Sequence, residues 1–136
     1  MKVFVTHAES AKPLARRLLR ALEQAGLEVW DDERDIYPSD NWAKVTGQTL
    51  EQAEAMVVLL TPEALESTRV LRDIDFALTN IRFQNRLIPV LVGLDDSIAM
   101  KKVPWIIRHL KVLTMPAVGR QEEGIDRITQ ALKAVA

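Results

Sequence analysis

Cysteine and histidine, which often act as nucleophiles and general bases, are scarce in this sequence. The chain of 136 residues has no cysteine, and its two histidines, His7 and His109, lie far apart. Thiol nucleophiles, disulfides and thiolate zinc sites are therefore excluded, and we predict no metal site. The acidic run DDERD begins at Asp31, but its acids lack the spacing of a calcium-binding loop. Carboxylates and hydroxyls remain as the candidate functional groups.

One carboxylate lies in the run VLRDIDFAL, residues 70–78. At about 100° per residue, Val70, Ile74 and Ala77 form an apolar stripe, which indicates a helix packed on a core. Asp73 falls about 60° from Val70, at the border of that stripe. It is then either a carboxylate that faces a cleft or a surface acid paired with Arg69, four positions earlier. Periodicity alone leaves both interpretations open.

The elements that would position these groups alternate between strand and helix. Apolar and β-branched runs predict strands at residues 3–6, 27–30, 55–60, 86–92 and 112–114. Helical spacing predicts helices from an N-cap at Ser10 to residue 25, over 42–53, around Asp73 and over 122–134. The alternation favours one α/β domain over residues 1–136. We expect a flavodoxin-like three-layer fold with a five-stranded parallel sheet in the order 2-1-3-4-5.

In a sheet of this order, ligands bind beyond the carboxyl ends of the strands, where strands one and three diverge. The residues at those strand ends are Thr6, His7, Ala8 and Thr61, and the loop after strand two is 31–41. The glycines form neither a dinucleotide-binding turn nor a phosphate loop. The acids of a response-regulator receiver are also missing from the ends of strands one and three. We interpret the acids of the 31–41 loop, Asp31 among them, as solvated.

Charge and composition limit the kinds of partner and the cellular location that we expect. The formal net charge is −1, so no overall field attracts nucleic acid or an anionic membrane, and we expect neither as a direct partner. No apolar segment approaches the roughly 20 residues that a membrane helix needs. The lack of cysteine suits a reducing compartment, so we expect a cytoplasmic protein.

Four motifs, in order, resemble those of TIR domains (Toll/interleukin-1 receptor type), especially bacterial ones. FVTH at 4–7 is similar to the end of the first strand in that family. EVWDDE at 28–33, followed by DIYPSDNW at 35–42, resembles the second strand and the BB loop. AMVVLLTP at 55–62 and IPVL at 88–91 are similar to the third-strand and fourth-strand signatures.

The resemblance implies a site, because some TIR domains cleave NAD with a glutamate on the helix after strand three. The family pattern for that glutamate falls here on Asp73, with Arg69 where many members have tryptophan. Implied substrate contacts come from Thr6, His7, Ala8, Asp32, Trp42 and Thr61. Implied BB-loop contacts to other TIR domains come from Asp35, Ile36, Tyr37, Pro38, Ser39 and Asp40.

Three hypotheses about function follow. The first is a self-associating NAD glycohydrolase or cyclase of bacterial defence or signalling, with NAD as substrate and no cofactor. In it, Asp73 would stabilise an oxocarbenium-like transition state. The second is a catalytically silent module that binds other TIR domains through residues 32–42. The third is a nucleoside deoxyribosyltransferase, which shares the fold and the bond type, although its nucleophilic carboxylate has no clear counterpart here.

Overall fold

A parallel sheet forms the centre of the molecule. The computed structural model describes residues 1–31, 42–93, 101, 103, 105–108, 110 and 112–135, without the side chains of 42–46 and 108. The strands in these residues are β1 Lys2–His7, β2 Glu28–Asp31, β3 Ala55–Leu60, β4 Leu87–Val92 and β5 Leu113–Met115. They pair in parallel in the order β2-β1-β3-β4-β5. The predicted flavodoxin-like α/β fold is confirmed.

Helices connect the strands, as parallel neighbours require. They are α1 Lys12–Gln24, α2 Trp42–Gln52, α3 Thr68–Thr79, α4 Trp105–Arg108 and α5 Gln121–Val135. A short 3-10 turn, Glu9–Ala11, precedes α1 and contains Ser10. The N-cap of α1 is Ala11, which has no side-chain cap, so the prediction that Ser10 caps this helix is wrong. No helix in the described segments combines the length and apolar character needed to cross a bilayer.

The sheet separates two apolar cores. Val3 and Val5 of β1 pack with α1 and α5, whereas Phe4 packs with α2 and α3. Because successive side chains of a strand point to opposite faces, this alternation directs Thr6 towards α3 and His7 towards α1. Two adjacent residues at the end of β1 thus serve opposite faces of the sheet.

Helix α3 carries the acid of interest. Ser67 caps it, because its Oγ accepts a hydrogen bond from Val70 N at 3.3 Å. Val70, Ile74 and Ala77 are buried, as helical spacing predicts. Asp73 is buried as well, with 3% of its surface exposed, so it lies inside the border of the stripe.

Candidate active site

Asp73 meets the end of β1 at the carboxyl edge of the sheet. Thr6 Oγ1 donates a hydrogen bond of 2.8 Å to Asp73 Oδ2, and the two residues are 67 positions apart in the chain. Strand alternation aims the hydroxyl at α3, and the buried stripe of α3 brings the carboxyl to it. The two residues therefore form one buried cluster at the edge that the topology predicts for a ligand.

Burial sets the ionisation of Asp73. It raises the pKa of this carboxyl from 3.8 to about 6, against the lowering effects of the Thr6 hydrogen bond and of the Arg69 and Arg72 charges. One unit above its pKa a carboxyl is roughly nine-tenths ionised. At neutral pH the site thus holds an anion that water solvates poorly. The interpretation of Asp73 as an exposed surface acid is contradicted by its burial.

Arg69 lies beside this anion and also ties α3 to β1. Its Nη2 donates a hydrogen bond of 2.7 Å to the carbonyl oxygen of His7. Arg69 precedes Asp73 by one helical turn, so its charge stays close to the carboxylate. The comparison of motifs showed that Arg69 stands where many TIR domains have tryptophan. It did not predict the hydrogen bond between Arg69 and His7.

A second buried cluster lies on the other face of the same strand end. His7 Nε2 is 3.1 Å from Asp31 Oδ1, and the two side chains are 0% and 1% exposed. His7 Nδ1 donates to Ala8 O at 2.8 Å, since a carbonyl oxygen can only accept. His7 Nε2 and Asp31 Oδ1 are thus within hydrogen-bonding distance of each other in a buried setting.

Asp31 is the functional candidate that sequence reasoning misjudged. The prediction of a solvated loop acid is wrong, because Asp31 ends β2 and is buried. The predicted strand order, in which strand two pairs with strand one, could have indicated that Asp31 is buried next to His7. Asp31 pairs in register with Val5 of β1, and His7 lies two residues further along on the same face.

The other predicted site residues fall into two groups, those that the structure describes and those that it does not. Ala8 is buried, and its carbonyl oxygen also accepts from Ala11 N at 3.1 Å. Thr61 Oγ1 accepts from Ala64 N at 3.1 Å and closes the turn after β3. Trp42 is the first residue of α2, and its side chain is not among those that the structure describes. The predicted contacts that lie outside the described residues are Asp32, Asp35, Ile36, Tyr37, Pro38, Ser39 and Asp40.

Two further features bear on binding. Within the described part of the chain, no group of three or more histidine, aspartate or glutamate side chains could hold a metal ion. A cavity of about 640 Å³ lies at the opposite, amino edge of the sheet, between the ends of α3 and α5. Its lining is mostly apolar, and it includes none of the predicted site residues. This cavity therefore lies at the end of the sheet opposite to Asp73.

The family follows from a comparison with known proteins. A model of the TIR domain family matches residues 3–129. The chain is a TIR domain. Among curated proteins, none matches its sequence significantly.

Solved TIR structures share this fold. The TIR domain of the Toll-related receptor TRR-2 from Hydra magnipapillata has a TM-score of 0.74 at 17% identity, over 96% of this chain and 97% of that chain. A TIR-STING receptor from C. gigas, in complex with 2′,3′-cGAMP, has a TM-score of 0.76 at 22% identity. That match covers 96% of this TIR domain but 38% of the receptor chain.

The TIR domains of the activated Roq1 resistosome, which directly recognises the pathogen effector XopQ, are also similar. Their TM-score is 0.61 at 14% identity, over 98% of this chain and 82% of that chain. At identities this low, the similarity to each solved structure shows the TIR fold alone.

Proposed function

We propose that this TIR domain cleaves NAD at the bond between nicotinamide and ribose, with Asp73 as the catalytic carboxylate. A single observation carries the proposal: a buried carboxyl with a raised pKa lies at the carboxyl edge, next to the end of β1. Such perturbed groups in a ligand-binding region are common at active sites. The protein would act in the cytoplasm, in bacterial defence or signalling, as its resemblance to bacterial TIR domains implies.

The reaction would break the bond between C1′ of ribose and the ring nitrogen of nicotinamide. Nicotinamide leaves with the bonding electron pair and becomes neutral, while positive charge develops on the ribose. Water then adds to C1′ and releases a proton, which gives ADP-ribose, whereas attack by an adenine nitrogen would give a cyclic product. NAD is the substrate, and no cofactor takes part in this scheme.

The buried anion suits this chemistry. A carboxylate deprived of water attracts a developing cation more strongly than a solvated one does. Since the charge on ribose is largest in the transition state, the attraction lowers the barrier more than it tightens substrate binding. Thr6 would hold Oδ2 of Asp73 in position, so that no reorganisation is needed when the charge appears.

Nicotinamide release from NAD tests the proposal. Measured at high protein concentration, release should fall about 100-fold or more in Asp73→Ala and Asp73→Asn, because both remove the anion. Asp73→Glu should raise it, since a longer side chain reaches further into the crevice. The wild-type rate should decline as the pH drops below about 6, where Asp73 binds a proton.

Asp75→Asn is the matched control, because Asp75 is an exposed acid on the same helix. Its rate should equal that of the wild type. Release that survives in Asp73→Asn would overturn the assignment of the catalytic carboxylate.

We also propose that the domain self-associates through residues 32–42. The TIR domains of Roq1, solved within an activated resistosome, support this proposal. Pro38→Ala and Trp42→Ala should lower the weight-average sedimentation coefficient at high concentration. Ile81→Ser is the control, since Ile81 is 82% exposed and lies near the amino edge of the sheet. Unchanged sedimentation in both loop variants would contradict an interface there.

A second candidate function is a TIR interaction module without turnover. The enclosure of Asp73 favours it: the carboxylate is 3% exposed and already bonded to Thr6, so it touches a ligand only after neighbouring groups move. If no variant releases nicotinamide, Asp73→Glu included, while the loop variants still alter sedimentation, this second function stands in place of the first.

A further inference from the structure

The end of β1 is held from both faces of the sheet. On the side of α3, Thr6 donates to Asp73, and Arg69 donates to the carbonyl oxygen of His7. On the side of α1, the His7 ring bonds the carbonyl oxygen of Ala8 through Nδ1 and meets Asp31 through Nε2. The contacts of the His7 ring and of its carbonyl oxygen anchor the backbone of His7. Thr6 and His7 share a peptide bond, so a shift of the His7 backbone also shifts Thr6.

Stability alone does not account for the buried pair of His7 and Asp31. Taking both groups out of water costs about as much as their mutual attraction returns, and apolar side chains of similar size commonly fill such a space at equal or lower free energy. A pair of apolar side chains, however, forms no directional hydrogen bonds. The imidazole fixes the Ala8 carbonyl, and the aspartate fixes the orientation of the imidazole.

We infer that His7 and Asp31 are a positioning pair, which holds Thr6 against Asp73 from the opposite face of the sheet. Both side chains lie on the face away from Asp73, so they act through the backbone of β1. Asp31 is the last residue of β2 and directly precedes residues 32–41. The geometry stands by itself, while its consequence for turnover rests on the proposed function.

Titration of the Asp73 carboxyl, followed by its ¹³C chemical shift, tests the inference without any need for turnover. The wild-type midpoint is expected at about 6. Thr6→Val should raise it, because the hydrogen bond from Thr6 lowers this pKa. The double variant His7→Leu/Asp31→Leu keeps the space filled with apolar groups. It should raise the midpoint as much as Thr6→Val does, and adding Thr6→Val to it should cause no further rise.

Asp31→Asn is the conservative variant, since its amide can still bond to His7 Nε2. In this variant the titration midpoint of Asp73 should equal the wild-type value. An unchanged midpoint would show that the hydrogen bond of Asp31, and not its charge, holds Thr6 in place. A folded double variant with an unchanged midpoint would overturn the inference. An additive rise in the triple variant would overturn it too, because the pair would then act independently of Thr6.

Should the double variant fail to fold, the His7 ring of the wild type decides. Its ¹⁵N shifts at neutral pH should show a protonated Nδ1 and a hydrogen-bonded Nε2. A bare Nε2 opposite an ionised Asp31 would overturn the pair.

For turnover, Thr6→Val and the double variant should lower kcat for NAD by the same factor and leave KM unchanged, and unequal losses would count against the inference. A wild-type protein that does not cleave NAD would overturn the proposed function alone. The titration would still decide whether His7 and Asp31 position Thr6.

Discussion

Asp73 binds its proton more tightly in the folded protein than in the unfolded chain. Its pKa is about 6 in place of 3.8, so between these two pH values the folded state holds a proton that the unfolded state has released. The free energy of unfolding therefore falls as the pH rises through this window and is lower by a constant amount above it. The difference between the two limits is roughly 3 kcal/mol. Active sites commonly retain such destabilising groups.

Asp73→Asn should make the domain more stable at neutral pH. The amide fills the same space and its oxygen can still accept from Thr6, but it carries no buried charge. We expect a gain of about 2 kcal/mol at pH 7.5 that vanishes as the pH approaches 3.8, measured by urea unfolding across this range. Asp75→Asn, the exposed control, should show no such dependence on pH. A less stable Asp73→Asn at pH 7.5 would contradict burial as the cause of the raised pKa.

At the scale of elements, helix α3 and strand β1 follow local rules that the sequence reveals well. Apolar runs locate each observed strand to within about two residues, and helical spacing gives the buried stripe of α3. The ends are less predictable. Ser10 has the right type for a cap, but a 3-10 turn intervenes and α1 begins at Lys12, while Ser67 is the side chain that caps its helix. Propensity identifies capping residues, and only the path of the backbone selects among them.

Ser67→Ala should weaken the helix that presents Asp73. The substitution removes the acceptor for Val70 N at the start of α3, and we expect a loss of about 1 kcal/mol in the free energy of unfolding. Thr68 is the next residue and is exposed, so Thr68→Ala is the control and should change stability by less than about 0.5 kcal/mol. Equal losses in the two variants would argue against a capping role. Chemical denaturation at neutral pH measures both.

At the scale of the whole molecule, the site depends on contacts between distant parts of the chain. Thr6 and Asp73 are 67 positions apart, and His7 and Asp31 are 24 apart. Periodicity reports which residues share a face of one element, but not which side chain of another element they meet. The sequence therefore indicated the sheet order and the edge where Asp73 lies, whereas the buried state of Asp73 and the His7 pair required the assembled fold. The predicted contacts in 32–41 stay predictions.

The packing of α5 on the sheet gives a test at this scale. A Cβ added at Gly124 would lie 2.6 Å from Cε and 3.0 Å from Cβ of Met115 in β5. Cε ends a flexible side chain and can move aside, but Cβ is attached to the backbone of β5, so the helix or the strand must shift. Overpacking of this kind costs about 1–3 kcal/mol, more than the roughly 1 kcal/mol that alanine gains over glycine in a helix. Gly124→Ala should therefore lower the free energy of unfolding.

Gly47→Ala is the matched comparison, because Gly47 also lies in a helix and a Cβ there would meet no described atom within 4 Å outside the backbone of that helix. It should raise the free energy of unfolding by up to about 1 kcal/mol. A rise in the free energy of unfolding in both variants would refute the close packing of α5 against Met115. Urea denaturation of the two variants beside the wild type measures the difference.

The alternation of Thr6 and His7 at the end of β1 has a consequence for evolution. Each residue has its own partner, Asp73 for Thr6 and Asp31 for His7, on its own face of the sheet. Substitutions at positions 7 and 31 should therefore covary among homologues, and so should those at positions 6 and 73. Since the pairs share one strand end, a lineage that loses the imidazole and its acid should in time lose the hydroxyl and the carboxylate as well.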